Sequence, residues 1–310
     1  MKTLAILGAT VVLLATPSTA WSQSSRTDRR VALTFDDIPL GQGQPGTRCD
    51  ADKLLAVSRR ITEALVANSA PSAAFITTGN VCDEIRDPVL GQVIRIWAQA
   101  GAVIGNHGHR HLSLSRTPID IYQADLIHAD SLIRQLGGHK PRYFRHPFLH
   151  AGADTGTMHA MDRWLEEQHY TVGIVTVDNN EWVYARAYTM ALGRGDSTMM
   201  RRLVSAYLEH MDKAFAFAES MSVRVIGEEI PQIVLLHANE INRDHIGKVL
   251  SVIKARGYSF ISLDEALADP VYQRPTYYVG PWGISWILRW SSDSTVWRMD
   301  LPKTEEWVEQ

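Results

Sequence analysis

The strongest constraint on how this chain can fold is a sevenfold alternation of short apolar, β-rich runs with longer stretches of helical periodicity. Runs at 31–35, 73–77, 103–105, 143–145, 172–177, 233–236 and 260–261 read as strands. Amphipathic stretches at 51–67, 88–100, 118–136, 154–168, 198–220 and 243–256 lie between them. Such alternation builds parallel strands with helices packed on the sheet. At 310 residues and 45% hydrophobic, the chain carries enough apolar material for a large single core, which rules out a disordered protein. A closed barrel and an open doubly wound sheet both fit. A barrel gathers its chemistry at the carboxyl ends of its strands, where Asp36, Asp37, Asn106, His107, Arg145, Asp178 and His237 all fall. The expectation is therefore an α/β fold, an irregular (β/α)7-type barrel.

Residues 1–20 stand apart from this pattern. Lys2, an apolar run over 4–14 and Ser18-Thr19-Ala20 ahead of Trp21 form the signature of a cleaved signal peptide, and the run is short for a membrane span. An uncleaved anchor is the alternative. The expected mature chain is exported, periplasmic or secreted, with 30 basic against 34 acidic residues and no basic cluster. Nothing in that balance points to nucleic acid, or to a membrane beyond the export signal. Cys49 and Cys82 would meet an oxidising compartment, and a disulfide between them is expected, two buried thiols being the alternative.

Three separated runs carry the chemistry: Thr34-Phe35-Asp36-Asp37, Asn106-His107-Gly108-His109-Arg110-His111 and Leu235-Leu236-His237. Neighbouring carboxylates at a strand end point in opposite directions, so one of the aspartates can bind metal while the other faces the reacting water. His107 and His111, four apart, suit one side of a helical turn and, with Asp37, make a two-His, one-carboxylate site with open positions. An extended segment would instead align His107, His109 and His111 as a three-His site. A divalent ion held there, most naturally Zn2+, polarises a carbonyl and acidifies water. Asp36 then acts as base, held ionised by Arg145, and His237 acts as acid, its pKa raised by Glu181 or Asp178. His146 and His150 have the same spacing, but Pro147 between them argues for a loop.

These motifs, in this order from about residue 31 to residue 237, resemble the polysaccharide deacetylase family, carbohydrate esterase family 4, also called the NodB homology domain. The resemblance implies Asp36 as general base, Asp37, His107 and His111 as metal ligands, and Arg145 as the residue orienting the base. Gly108 stands where the family usually has Ser or Thr. Arg145-His146-Pro147-Phe148 resembles the third motif, with Phe148 replacing a tyrosine next to a main-chain oxyanion donor. Asp178-Asn179-Asn180-Glu181-Trp182 resembles the fourth, with Glu181 in place of a second Asp. In the fifth, Leu235 is implied in the acetyl-methyl pocket and His237 as general acid.

The expected organisation is a signal peptide at 1–20, a deacetylase-like domain at 21–268 and a C-terminal extension at 269–310 packed on the barrel. The implied substrate is an N-acetylated glycan such as a chitooligosaccharide or peptidoglycan. Alternatives are an O-acetyl polysaccharide esterase, a small-amide hydrolase and a catalytically weak glycan-binding protein. Trp182 suits the wall of a sugar groove, or else the core. Residues 179–195 read as a lid or rim over the site. In the extension, Trp282, Trp286 and Trp290 recur every four residues, a stripe that packs a terminal helix or stacks on sugars.

Overall fold

Strand β1 (Arg29–Ile38) is the centre of the molecule, and its side chains explain why. Val31, Ala32, Leu33, Phe35 and Ile38 are fully buried, so both faces of the strand are covered, as in parallel sheets flanked by helices. The computed structural model describes residues 28–299 and 301–309; the expected signal peptide at 1–20 lies outside them. Six further strands follow: β2 (Ser72–Ile76), β3 (Val103–Asn106), β4 (Tyr143–Phe144), β5 (Thr171–Val172), β6 (Gln232–His237) and β7 (Tyr258–Ile261). All pairings are parallel, in the order β5-β4-β3-β2-β1-β6, with β7 pairing the first half of β1. A parallel bridge between Val177 and Val234 brings the segment after β5 against the free edge of β6. The sheet is thereby curled into an irregular (β/α)7-type barrel, the architecture the alternation implied.

The helices are α1 (Ala51–Ala67), α2 (Arg86–Gln99), α3 (Ile119–Gly137), α4 (Thr155–Glu167), α5 (Glu181–Gly193), α6 (Ser197–Ile226), α7 (Glu240–Ala255), α8 (Leu263–Leu267), α9 (Trp286–Arg289) and α10 (Glu306–Glu309). Local signals start several of them. Asp50, Asp154, Asp196 and Asn239 each accept a backbone N–H three residues on, satisfying donors that a helix start leaves open. Among the described residues no helix is long and apolar enough to cross a membrane.

Two elements differ from expectation. The run at 172–177 supplies only Val172 to regular strand, β5 being Thr171–Val172, because the carbonyls of Gly173 and Ile174 turn to accept the Arg145 guanidinium instead of a neighbouring strand. Residues 181–193 form helix α5 instead of an open lid. This helix buries Glu181, Tyr184, Ala185, Ala187, Tyr188 and Ala191, so its apolar residues run round more than one face and leave no single stripe to read.

The segment after α8 folds back onto the barrel. Trp286 N–H donates to the Val175 carbonyl at 2.8 Å, and Ser285 Oγ donates to the Thr176 carbonyl at 2.9 Å. Trp286 and Trp290 are buried while Trp282 is exposed, so the four-residue stripe is divided between packing and surface. A disulfide joins Cys49 to Cys82.

Candidate active site

The carboxyl ends of β1, β3 and β6 converge on one pocket of about 550 Å3, lined by Asp36, Asp37, His107, His111, Phe148, Leu149, Asp178, Glu181, Trp182, Leu235 and His237 among others. The two adjacent carboxylates separate because the ladder slips after Phe35 and Asp37 takes a left-handed conformation (φ 60°). Asp37 Oδ1 is turned toward the histidines, 3.4 Å from His111 Nε2 and 4.0 Å from His107 Nε2. The ligand atoms of Asp37, His107 and His111 all lie within 4.8 Å of one another, a donor set of two imidazoles and one carboxylate that fits a divalent ion. The connecting loop is neither a helical turn nor extended: His111 itself is left-handed (φ 53°). His109 faces elsewhere, bonded to Thr78 Oγ1 and packed edge-on to His128, so the pair-plus-aspartate reading fits and the three-His reading does not.

Surrounding groups fix these ligands. His107 Nδ1 donates to the Arg145 carbonyl at 2.9 Å, which leaves Nε2 with its lone pair toward the site. Burial lowers the His111 pKa to about 4 despite the pull of Asp37, so its imidazole is neutral and able to ligate near pH 7. Burial opposes ionisation of Asp37, but His111, His107, His237 and the Thr77 hydroxyl bring it below the usual carboxylate range. Gly108 has φ 80°, and a Cβ there would lie 3.1 Å from Asp125 Oδ2. Bracing comes instead from Asn106 Oδ1, which accepts Gly108 N–H, and from Asp125, which accepts the N–H groups of His109 and Arg110.

Asp36 sits at the other side of the cluster. Arg145 Nη1 donates to its Oδ1 at 2.7 Å and to Thr34 Oγ1 at 2.7 Å, while its Oδ2 lies 3.6 Å from His107 Nε2. Arg145 is 1% exposed and stacks over Phe75 at 4.2 Å, so the pair is desolvated and cannot swing apart.

His237, at the end of β6, has its Nδ1 2.6 Å from Glu181 Oε2. Burial disfavours its protonation, but Glu181 and then Asp37 and Asp36 raise its pKa to about 9. The extra methylene of Glu181 is accommodated: its other oxygen accepts the side-chain amides of Asn239 and Asn242. Between the two acids considered for this role, Glu181 makes the contact. Asp178 only lines the pocket, its carboxyl pushed up by burial. Leu235 is buried in the pocket wall, and Phe148 and Trp182 stand half-exposed at its mouth.

The turn carrying Phe148 holds a feature that no sequence motif announced. Phe148 and Leu149 are both left-handed (φ 58° and 56°), a costly arrangement for two consecutive non-glycine residues. The C-terminal segment clamps it: Arg289 Nη2 donates to the Leu149 carbonyl at 2.6 Å, and a Cβ on Gly283 would meet the Phe148 carbonyl oxygen at 1.7 Å. Arg289 is itself buried between Trp286 and Tyr278, which lowers its pKa to about 10. Asn239, Asn242, Asp125 and Arg289 were not legible in advance, since each acts on a group distant in sequence or through an ordinary cap position.

Comparison with known proteins agrees with this geometry. Residues 23–162 match the family described as polysaccharide deacetylase. The peptidoglycan-N-acetylglucosamine deacetylase of Bacillus cereus is 21% identical over 239 residues, covering 75% of this chain and 66% of that protein, so the match spans just under two thirds of the relative's length. A variant of the peptidoglycan deacetylase PdaC from Bacillus subtilis superposes with a TM-score of 0.50 at 14% identity, over 80% of this chain and 95% of that one. A carbohydrate esterase family 4 pseudoenzyme gives 0.52 at 16% identity, over 78% and 68%. At these identities the solved structures establish a common fold. Over residues 23–162 the chain thus matches the polysaccharide deacetylases, the family its ordered motifs resemble.

Proposed function

We propose that this protein is a metal-dependent deacetylase that hydrolyses N-acetyl groups on a glycan outside the cytoplasm. The observation that carries the reading is the convergence of three units on one pocket: the Asp37–His107–His111 donor set, the Asp36–Arg145 pair and the His237–Glu181 pair. A divalent ion, Zn2+ by the match to two imidazoles and one carboxylate, would supply polarisation of the acetyl carbonyl and a lowered pKa for adjacent water. Asp36 takes the proton from the attacking water, and Arg145 keeps it ionised and aligned. Leu149 and His150 N–H groups are engaged by the carbonyls of His146 and Pro147, which leaves the Phe148 N–H for the developing oxyanion. His237, protonated at neutral pH through Glu181, gives its proton to the departing amine. Leu235 packs the acetyl methyl, and Phe148 and Trp182 flank the sugar.

The organisation that accompanies this reading is an export signal at 1–20, a catalytic domain at 21–268 and an extension at 269–310. The test is acetate release by the zinc-loaded mature chain from N-acetylglucosamine oligomers and peptidoglycan, beside acetylated xylan, with chelated and Asp36→Asn samples as controls. Release from the amide substrates, lost in both controls, is the expected result. Acetate from xylan alone would replace it with the ester reading. Silence on every substrate with zinc bound would leave a small-amide hydrolase or a binding protein.

A further inference from the structure

A second depression of about 830 Å3 adjoins the catalytic pocket, walled by the 40–49 loop on one side and by α5 on the other. Gln42 lines both spaces, so this trough and the pocket are neighbours across one side chain. Its chemistry differs sharply from that of the pocket. Arg48, Arg186 and Arg194 line it, and no carboxylate does. Among the described residues none of these three guanidinium groups has an ion-pair partner, in contrast to arginines such as Arg29, Arg134, Arg243 and Arg256. Arg48 is steered by a bond from its Nη2 to the Gly41 carbonyl at 3.1 Å. Two buried side-chain oxygens on the same walls, Gln42 Oε1 and Thr189 Oγ1, have no protein partner, and Thr189 is 8% exposed. Both atoms are closed off from solvent, so it is the three arginine side chains that the depression presents to a ligand.

We propose that this trough is a recognition site for a carboxylate carried by the glycan, so that the preferred substrate is an acidic polymer rather than a neutral one. The proposal rests on the deacetylase reading for the identity of the substrate. Guanidinium groups are suited to it because their planar fork matches a carboxylate with two parallel hydrogen bonds. The acid can belong to the sugar backbone or to a peptide attached to it, and the chemistry of the trough is the same for both.

Three oligomers of equal length test this: a neutral N-acetylglucosamine oligomer, an alternating N-acetylglucosamine and N-acetylmuramic acid oligomer, and the latter bearing its stem peptides. Kinetics on wild type and on Arg186→Glu/Arg194→Glu are paired with calorimetric binding to Asp36→Asn proteins with and without the same two changes. The expected result is a lower KM for one or both acidic oligomers, rising about tenfold in the double variant and with added salt while kcat and the neutral oligomer are unchanged. Which acidic oligomer responds identifies the carboxylate. Equal KM for neutral and acidic oligomers, or an equal loss on all three, overturns the trough. Arginine-dependent binding of acidic oligomers without acetate release supports the trough and overturns the hydrolase reading instead.

Discussion

Replacing Glu181 with Gln isolates the electrostatic part of the proposed acid. The change keeps an acceptor for His237 Nδ1, where the contact is now 2.6 Å, and removes the charge. Raising the imidazole from 6.5 to about 9 corresponds to about 3 kcal/mol of preference for the protonated form. Burial acts the other way, so without Glu181 the imidazole falls back toward its ordinary value of about 6.5. At pH 7 the protonated fraction then drops from nearly all to about a quarter, and kcat/KM should fall about fourfold, widening to about 75-fold at pH 8.5. The assay is the pH profile of acetate release, with the His237 ring titrated by NMR in the Asp36→Asn background as a readout independent of turnover. Glu181→Asp should recover most of the wild-type profile. An alkaline limb that stays near 9 in Glu181→Gln would refute the argument. A stability consequence has a defined sign: a raised histidine pKa stabilises the fold fully below about 6.5, and that contribution is lost as pH rises through about 9.

Asp36→Asn should lower kcat by at least a hundredfold while zinc affinity, measured by competition with a chromophoric chelator, changes little, because Asp36 is outside the donor set. His111→Ala removes one of three ligands and should weaken zinc binding by at least tenfold in the same competition, with Asp36 and Arg145 still paired. Arg289→Met leaves the Leu149 carbonyl without its donor and should lower stability by about 1–3 kcal/mol in urea titration. If the turn positions the Phe148 N–H, kcat falls with KM nearly constant; an unchanged kcat would reduce Arg289 to a packing residue.

The seven strands and most of their helices were legible because strand periodicity and amphipathic stripes survive in single stretches of sequence, and the Asp37–His107–His111 donor set because short motifs sit where strands end. What escaped was whatever one segment imposes on another. Gly173 and Ile174 look like strand residues until Arg145, brought from β4, claims their carbonyls. Helix α5 is wrapped by α6, α7 and β6, which erases the stripe that would mark it. Glu181 was readable as a possible partner for His237, yet the two asparagines that restrain it, Asn239 and Asn242, have the look of an ordinary helix start. Arg289 belongs to a stretch with no motif at all, and its role depends on a carbonyl 140 positions away.

The bond between Cys49 and Cys82 bears on one wall of the trough. It ties the end of the 40–49 loop to the segment after β2, where Cys82 N–H also donates to the Arg48 carbonyl. Closing 33 residues of chain constrains the unfolded state by about 3–4 kcal/mol on a chain-entropy account. The Asp37–His107–His111 donor set, the Asp36–Arg145 pair and the His237–Glu181 pair lie at the strand ends, away from that link. The bond therefore braces the wall bearing Arg48, whereas the donor set and its neighbouring pairs are braced by the strand ends. Disulfides form and persist in oxidising compartments. The wall that would select a polymer is thus the part of the molecule whose bracing depends on such a compartment.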